Sequence, residues 1–428
     1  MHEKNTKSKQ KTYNILIIGC QMNKSDSERI ASYLENLGYV WVNNPEQADL
    51  FVLTTCGVRQ GAEDRIYGIV PQVRKANNNV KIILTGCLSD REDVRKRLAG
   101  RVDIWLNVND LPGLAERLGE EYHPGSLDYL NINPKYNSKY SAYVPIGNGC
   151  NNFCSYCVVP YARGREVYRP HQEVLAEVKS LAKKGYKEII LIAQNVNSYK
   201  SGEIDFAQLL KMTDQVPGDF WLRFSTSHPK DLSDDLIKVI KNGEKICHHL
   251  HMAVQAGDNE ILKAMNRKYT VEHYLSLIEK IKQAIPDIAL TTDIIVGFPG
   301  ETREQFANTK KLMETVGYDM AYTAQYSPRY GTVSAKMEDN VPNEEKKIRE
   351  RELMNIIRKT SLENNKKYLN KEVRVLVEGR KKDGQWYGKE SHFKTVKFTS
   401  KVEQDLVGEF VNVLINRVED LGLYGEQK

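Results

Sequence analysis

Residues 146–164 read IGNGCNNFCSYCVVPYARG, and three of the chain's seven cysteines, Cys150, Cys154 and Cys157, fall in this stretch. A structural zinc site is closed by four ligands, and a cubane held wholly by protein takes four thiolates. This loop supplies three. A fourth from Cys87, Cys247 or His171 would close the set. Left at three, it keeps one corner of a four-iron cube open, which is what a reactive cofactor needs. Asn151, Asn152 and Ser155 between the thiols are small, polar and suited to a tight loop. Clustered cysteines in a reducing compartment are more often metal-binding or catalytic than disulfide-bonded, and an odd total argues against a closed disulfide set.

Working outward, SAYVPI before the loop and EIILIAQ, WLRFSTS, CHHLHMAV, ALTTDIIVGF and MAYTAQYS after it read as strands, with amphipathic helices between them. Strands alternating with helices predict a parallel sheet. Six units fall short of the eight of a closed barrel, so the expectation is a partial (β/α)6 barrel over 140–367, ending in a long charged helix after Pro342.

Upstream, YNILIIGCQMN, DLFVLTTCGV and VKIILTGCLSD each read as a buried strand ending at a cysteine, namely Cys20, Cys56 and Cys87. Helices follow from Ser25 or Asp26 as N-cap, from about Gly61 to Lys75, and through REDVRKRL; DIWLNV is a fourth strand. In open parallel sheets ligands sit outside the carboxyl ends of the strands, so three strand-end cysteines face one shared site. The bland alternative for each is a buried thiol; three at equivalent positions weigh against it. This unit is expected over 13–125, after a disordered tail over 1–12 and before a linker over 126–139. Downstream, VRVLVEG, QWYGKES, KTVKFTS and GEFVNVLINRVE predict a small all-β module, barrel-like or OB-like, over 368–428.

Lys and Arg total 62 against 56 acids, a net charge of +6. The excess is compatible with an RNA partner without requiring one. The polar first dozen residues are not followed by an apolar stretch that reads as a secretory signal, and no apolar run is long enough to span a bilayer. The expected location is the cytoplasm, with no membrane partner.

The spacing C-x3-C-x2-C with an aromatic, Tyr156, before the last cysteine, heading a βα series, resembles the radical S-adenosylmethionine superfamily. The resemblance implies an open iron that chelates the amino and carboxylate groups of S-adenosylmethionine and a reductive cleavage yielding a 5′-deoxyadenosyl radical. GCQMNKSDSE, TTCGVRQGAE, LTGCLSD, GCNNFCSYCVVPYARGRE, LIAQNVNSY, HMAVQAGDNEILKAMNRKYT and TTDIIVGFPGET together resemble the methylthiotransferase family, with Ala193 a small departure from its pattern. The final module resembles a TRAM domain, an RNA-binding unit. Within the family GCQMNKSDSE and CVVPYARGRE are most similar to the MiaB type, which adds a methylthio group to carbon 2 of N6-isopentenyladenosine at position 37 of tRNA. Two rivals stand beside it: the same chemistry on N6-threonylcarbamoyladenosine, and a non-catalytic RNA-binding iron–sulfur sensor.

The resemblance implies two [4Fe-4S] clusters, one on Cys20, Cys56 and Cys87 and one on Cys150, Cys154 and Cys157, with S-adenosylmethionine as methyl donor and radical source. It implies as partners a tRNA anticodon stem-loop, a flavodoxin- or ferredoxin-like electron donor and a sulfur source, around a monomeric enzyme. Tyr156 is expected against the adenine of S-adenosylmethionine. Gln194, Asn195, Ser225, Gln255 and Asp293, at strand ends where barrel enzymes place working residues, are candidates to hold its amino, carboxylate and ribose groups. Arg163 and Arg165 are candidates for phosphate or substrate, with a salt bridge as the alternative. His248, His249 and His251 read as barrel-lining, and Cys247 as structural. From 368 to 401 nine basic residues stand against four acids. Arg380, Lys381, Lys382, Lys389 and Lys394 are expected to track phosphates, with Trp386, Tyr387 and Phe393 stacking bases.

Overall fold

The computed structural model describes residues 10–122 and 125–428. Most of the expected tail therefore lies outside the described residues, but its last residue, Thr12, already belongs to a strand.

The first unit runs β1 (Thr12–Ile17), α1 (Gln21–Asn36), β2 (Val40–Trp41), β3 (Leu50–Thr55), α2 (Gln60–Ala76), β4 (Lys81–Gly86), α3 (Glu92–Arg97), β5 (Ile104–Leu106) and α4 (Leu114–Leu118). Its sheet has the order β2-β1-β3-β4-β5, with every pairing parallel. LFVLTT of β3 is buried at all six positions, as a central strand covered on both faces must be. The two-residue β2 was not anticipated; it is too short to carry a periodic signal. Helix α1 starts four residues before the expected cap, with Cys20 itself at the N-cap. Ser25 and Asp26 are buried inside it, because both bond to buried arginines instead of capping.

Residues 126–139 are not a free linker. Tyr129 and Leu130 are buried in the first unit's core. Tyr136 packs on the barrel core and donates to Glu177. A tyrosine- and leucine-bearing segment has apolar surface to hide, and it hides it on both sides.

The barrel strands are β6 (Ser141–Pro145), β9 (Glu188–Ile192), β12 (Trp221–Ser225), β13 (His249–His251), β14 (Ala289–Val296) and β15 (Met320–Gln325). Two short pairs, β7 (Gly147–Asn148) with β8 (Val167–Tyr168) and β10 (Lys200–Ser201) with β11 (Ile204–Asp205), are hairpin-like additions. Two parallel ladders, β12-β9-β6 and β13-β14-β15, are joined by single bridges from Leu222 to Ile246 and from Ser227 to Met252. All six expected barrel strands are present. The outer helices are α5 (Val159–Arg163), α6 (His171–Lys183), α7 (Phe206–Asp214), α8 (Asp234–Asn242), α9 (Asn259–Ala264), α10 (Val271–Ala284), α11 (Arg303–Val316) and α12 (Asn343–Lys366). Asp205, Ser233, Asp258, Thr270 and Thr302 cap five of them with side-chain oxygens, satisfying orphan N–H groups. Strand β6 is an edge, and Met22 of α1 packs on Ile190 and Ile192 of the neighbouring β9 beside Tyr143 of β6.

The last module closes into a five-stranded barrel of β16 (Glu372–Arg380), β17 (Trp386–Glu390), β18 (Thr395–Thr399), β20 (Gly422–Gln427) and β19 (Phe410–Glu419). GLYGEQ of β20 was missed, since its two glycines blur strand alternation. The module docks where the large barrel's strands begin. Arg223, buried, bonds Glu188 at 2.8 Å and the carbonyls of Ser391 and Glu390 at 2.7 and 2.9 Å. Trp221, the first residue of β12, meets Phe410 edge-on at 4.7 Å. Among the described residues no helix is long and apolar enough to cross a membrane.

Candidate iron–sulfur and nucleic-acid sites

The cysteine loop springs from the carboxyl end of β6 and is pinched at its root by the pairing of β7 with β8. Gly149 has φ +85°, and a Cβ there would lie 2.1 Å from the Arg165 carbonyl oxygen. Only glycine fits. The loop is then tied down from within and from the barrel. The amide of Cys150 donates to Gly164 and that of Cys157 to Cys154. Ser155 donates its hydroxyl to Ala264 at 2.8 Å, and Asn266 donates to the Phe153 carbonyl at 2.8 Å. Two donors already address the sulfurs: Asn152 Nδ2 lies 3.5 Å from Cys150 Sγ, and Arg267 Nη1 lies 3.5 Å from Cys154 Sγ. Donors of this kind tune a thiolate-bound metal.

The second set sits on three adjacent strand ends, because the order β1-β3-β4 lines up Cys20, Cys56 and Cys87. Asn23 draws these ends together, donating to Ile18 and Thr55 carbonyls at 3.1 and 2.8 Å. Burial, then the neighbouring Cys87 and Cys20, push the Cys56 thiol up to about 11. All seven cysteines are free thiols. Free thiols set in threes, at adjacent strand ends or within one loop, and offered donors fit a metal cluster better than a core.

The two sets meet. A Cβ on Gly57, the residue after Cys56, would lie 3.2 Å from the Cys87 Cβ and 3.1 Å from Val158, the residue after Cys157. Burial raises the Cys157 pKa, with Cys87 of the other unit among the contributors besides Cys154 and Cys150. Arg163 and Arg329 stitch the contact: Arg163 bonds Asp26, and Arg329 bonds Gln60 and the Val58 carbonyl at 2.6 and 2.8 Å. Arg163 is thus an interdomain ion pair and not a free phosphate ligand. Arg329 was not singled out, and no local pattern marks it.

Of the other candidates, Tyr156 is half-buried and packs against the barrel core, with Cys154, Arg267 and Cys157 as electrostatic neighbours. Gln194 Oε1 and Asn195 Oδ1 are buried without a hydrogen-bond partner, as are both amide atoms of Asn197 and the hydroxyl of Ser227. Asn195 caps the turn after it with no side-chain bond, so capping does not explain it. Such orphans are rare and point to a missing partner; Asn197 and Ser227 were not anticipated. Ser225 ends β12, half-exposed. Gln255 holds φ +74°, unusual outside glycine, and its backbone bridges Asp293 and Ile295. Asp293 faces His251 at 3.2 Å.

His249 and His251 line the barrel and share Thr291. His248 instead joins Asp287 and His392 at the seam with the last module. Cys247 is buried with Trp221 and Leu376 at that same seam, away from both triads. His171 bonds Ser201. Its place at the seam takes Cys247 out of the running as a fourth ligand.

Three matches to known families agree with this layout. Residues 144–313 match the radical SAM superfamily, 12–107 the uncharacterized protein family UPF0004, and 366–427 the TRAM domain. The tRNA-2-methylthio-N(6)-dimethylallyladenosine synthase of Thermoanaerobacter pseudethanolicus is 43% identical over 98% of this chain and 93% of that protein. The protein of that name from Clostridium perfringens strain SM101 is 42% identical over 97% of each. The chain belongs to this synthase family. Among solved structures, the radical S-adenosylmethionine methyltransferase TsrM of Kitasatospora setae superposes with a TM-score of 0.56 at 13% identity, covering 76% of this chain and 77% of that one. That likeness concerns the fold.

The TRAM module corrects part of the expected RNA face. Arg380, the last residue of β16, and Lys381 and Lys382 in the turn after it are exposed, so that part of the basic run is free to meet phosphates. Lys394 is not. It is buried and ion-paired with Asp319 at 2.6 Å. Lys389 is half-buried, donates to Thr395 at 2.8 Å, and burial lowers its pKa. Trp386 is core. Phe393 stacks on His249 at 4.9 Å. Of the three rings expected as base platforms, Trp386 thus builds the module's core and half-buried Phe393 its seam with the barrel, while Tyr387 stays partly exposed on β17.

Proposed function

We propose that the chain adds a methylthio group to carbon 2 of N6-dimethylallyladenosine (N6-isopentenyladenosine) at position 37 of tRNA. The observation that carries this is the meeting of two free-thiol triads from separate units at one junction. The identity to named synthases of that reaction sets the substrate. The reading assigns one [4Fe-4S] cluster to Cys20, Cys56 and Cys87 and a second, with S-adenosylmethionine, to Cys150, Cys154 and Cys157. The bound groups supply one-electron cleavage of a sulfonium bond and a transferable sulfur, chemistry that no side chain carries.

The chain's own residues do the rest. Each triad offers three thiolates, leaving one metal corner for a non-protein ligand. With the Cys56 thiol held up near 11, loading must expel protons. Gln194, Asn195, Asn197 and Ser227 present unpaired polar atoms suited to an amino acid headgroup, with Ser225, Gln255 and Asp293 further round the strand ends. Tyr156 offers a ring beside the loop for adenine. The target base must leave its stack to reach such a junction, and Arg380, Lys381 and Lys382 would hold the surrounding anticodon stem-loop by phosphates. We further assign 13–125, extended by Thr12 of β1, 140–367 and 368–428 as the cluster, radical and RNA units of a cytoplasmic monomer. A flavodoxin- or ferredoxin-like donor and a separate sulfur source complete it.

Mass spectrometry of tRNA nucleosides from a strain lacking the gene is the test. N6-dimethylallyladenosine should accumulate and its 2-methylthio form vanish, restored by the parent chain but by neither triad variant. Loss of a methylthiolated threonylcarbamoyl nucleoside instead would overturn the substrate assignment.

A further inference from the structure

Arg163, the last residue of α5, lies six residues after Cys157 and is 3% exposed. Its Nη1 donates to Asn148 Oδ1 at 3.0 Å, and its Nη2 donates to Asn23 Oδ1 at 3.0 Å and Asp26 Oδ2 at 2.6 Å. Asn148 stands at the root of the radical loop, while Asn23 and Asp26 follow the Cys20 cap in the first turns of α1. Asn148 makes a further crossing of its own, donating to Asn109 Oδ1 at 3.0 Å. The guanidinium thus has one hand on each cysteine-bearing unit. The two side chains of its ion pair are only 2% and 4% exposed.

Stability alone is a weak reason for such a pair, because desolvating two charges offsets most of their attraction and an apolar pair often serves as well. What an apolar pair cannot supply is a charge. Burial works against the Arg163 cation, but Asp26, then Cys87, Tyr129 and Cys20, hold it firmly protonated. The geometry agrees: the Asn23 Oδ1 that accepts from Arg163 at 3.0 Å also lies 3.7 Å from Cys20 Sγ. Charge and hydrogen bonding near a thiolate-held cluster set its reduction potential, and they act more strongly in a buried site than in water.

We infer that Arg163 is a positioning residue that sets the separation of the two cysteine triads and raises the reduction potential of the cluster on Cys20, Cys56 and Cys87, with Asp26 moderating its charge. This rests on the reading that both triads hold clusters. A cation beside a cluster favours the more negative, reduced form, and Asp26 opposes it. Substitutions at the two partners must therefore shift the potential in opposite directions, which a purely structural contact would not do.

The test uses the full chain carrying Cys150→Ala, Cys154→Ala and Cys157→Ala, so that only the first triad can load. Iron is assayed first, then the midpoint potential by EPR-monitored titration. About four irons per chain are expected. Adding Arg163→Met should move the midpoint negative by enough to change the oxidised-to-reduced ratio tenfold, about 59 mV for one electron. Asp26→Asn should move it positive, and Arg163→Lys should keep most of the parent value. In the chain with both triads intact, pulsed EPR should show a broader cluster-to-cluster distance distribution for Arg163→Met than for Arg163→Lys. Should Arg163→Met fail to fold, Asp26→Asn still decides the sign, and a midpoint there that stays put or moves negative overturns the inference. A parent that binds no iron sinks the cluster reading itself. Iron bound with midpoints unmoved, or moved the same way by both partners, overturns the inference.

Discussion

Gly149 and Asn195 sit at opposite ends of what one residue can do for a site. Gly149 contributes an absence: with φ +85° and a neighbouring carbonyl 2.1 Å from any Cβ, it lets the cysteine loop fold back on Arg165. Gly149→Ala should strain the loop by about 1–3 kcal/mol or force it open. Reconstituted protein should then hold about half its iron, with the first triad's share intact. Full iron in that variant would show the loop can do without its tight turn. Asn195 contributes an atom without a partner. Its Nδ2 holds Asp231 at 2.7 Å, while its Oδ1 is buried and unpaired. Asn195→Ala should weaken S-adenosylmethionine binding by about tenfold, the worth of one hydrogen bond to a charged group, and leave iron content alone. Equilibrium dialysis checks this, and unchanged affinity would confine Asn195 to steadying Asp231.

At the scale of elements, the β16–β17 turn and the β17–β18 turn carry similar charge and opposite roles. Arg380 at the root of the first and Lys381 and Lys382 within it are exposed, and the Arg380 side chain bonds the Gly384 carbonyl. Reversing all three to Glu should weaken tRNA binding for all sequences alike. It should also flatten the salt dependence by a little under one unit per lost phosphate contact. Affinity and slope both unchanged would make the turn a solvated face. In the second turn, Lys394 neutralises Asp319 inside the seam. Lys394→Ala should leave a buried carboxylate unpaired and cost about 3–5 kcal/mol, read as a lowered melting temperature. A variant that melts like the parent would show the pair is wetter than its burial indicates.

At the scale of the whole molecule, the ends of the large barrel are divided between tasks. The cysteine junction crowns the carboxyl ends of the strands, and the TRAM module closes the ends where they begin. The seam has a titratable centre. Burial pushes the His392 imidazolium toward neutrality, but Glu390 and then Asp287 outweigh it and raise its pKa. His248 also faces Asp287, and Tyr368 lies edge-on to His392 at 6.2 Å. A raised histidine pKa contributes stability that is fully present below its ordinary value of about 6.5 and lost as pH climbs through the folded value. The melting-temperature gap between the parent and His392→Gln should accordingly be widest in mild acid and close toward alkaline pH. A gap that stays constant would mean His392 acts by shape and not by charge.

The alternation of strand and helix was legible because it is written in short-range periodicity, and so were both cysteine triads, whose members stand at strand ends or within one loop. All six barrel strands follow from local pattern, whereas two-residue β2 and glycine-bearing β20 carry too little of it. The partnership of Arg163 with Asp26, 137 residues apart, has no local signature at all. The same holds for Lys394 with Asp319 and for Phe393 on His249. Sequence showed which residues carry charge, sulfur or an aromatic ring. Whether a charge meets solvent or a counter-ion, and whether a ring meets a base or a core, is decided when distant segments pack, since burial belongs to the assembled surface and not to the residue. The two triads were each readable alone; only the fold sets Gly57, the residue after Cys56, beside Val158, the residue after Cys157.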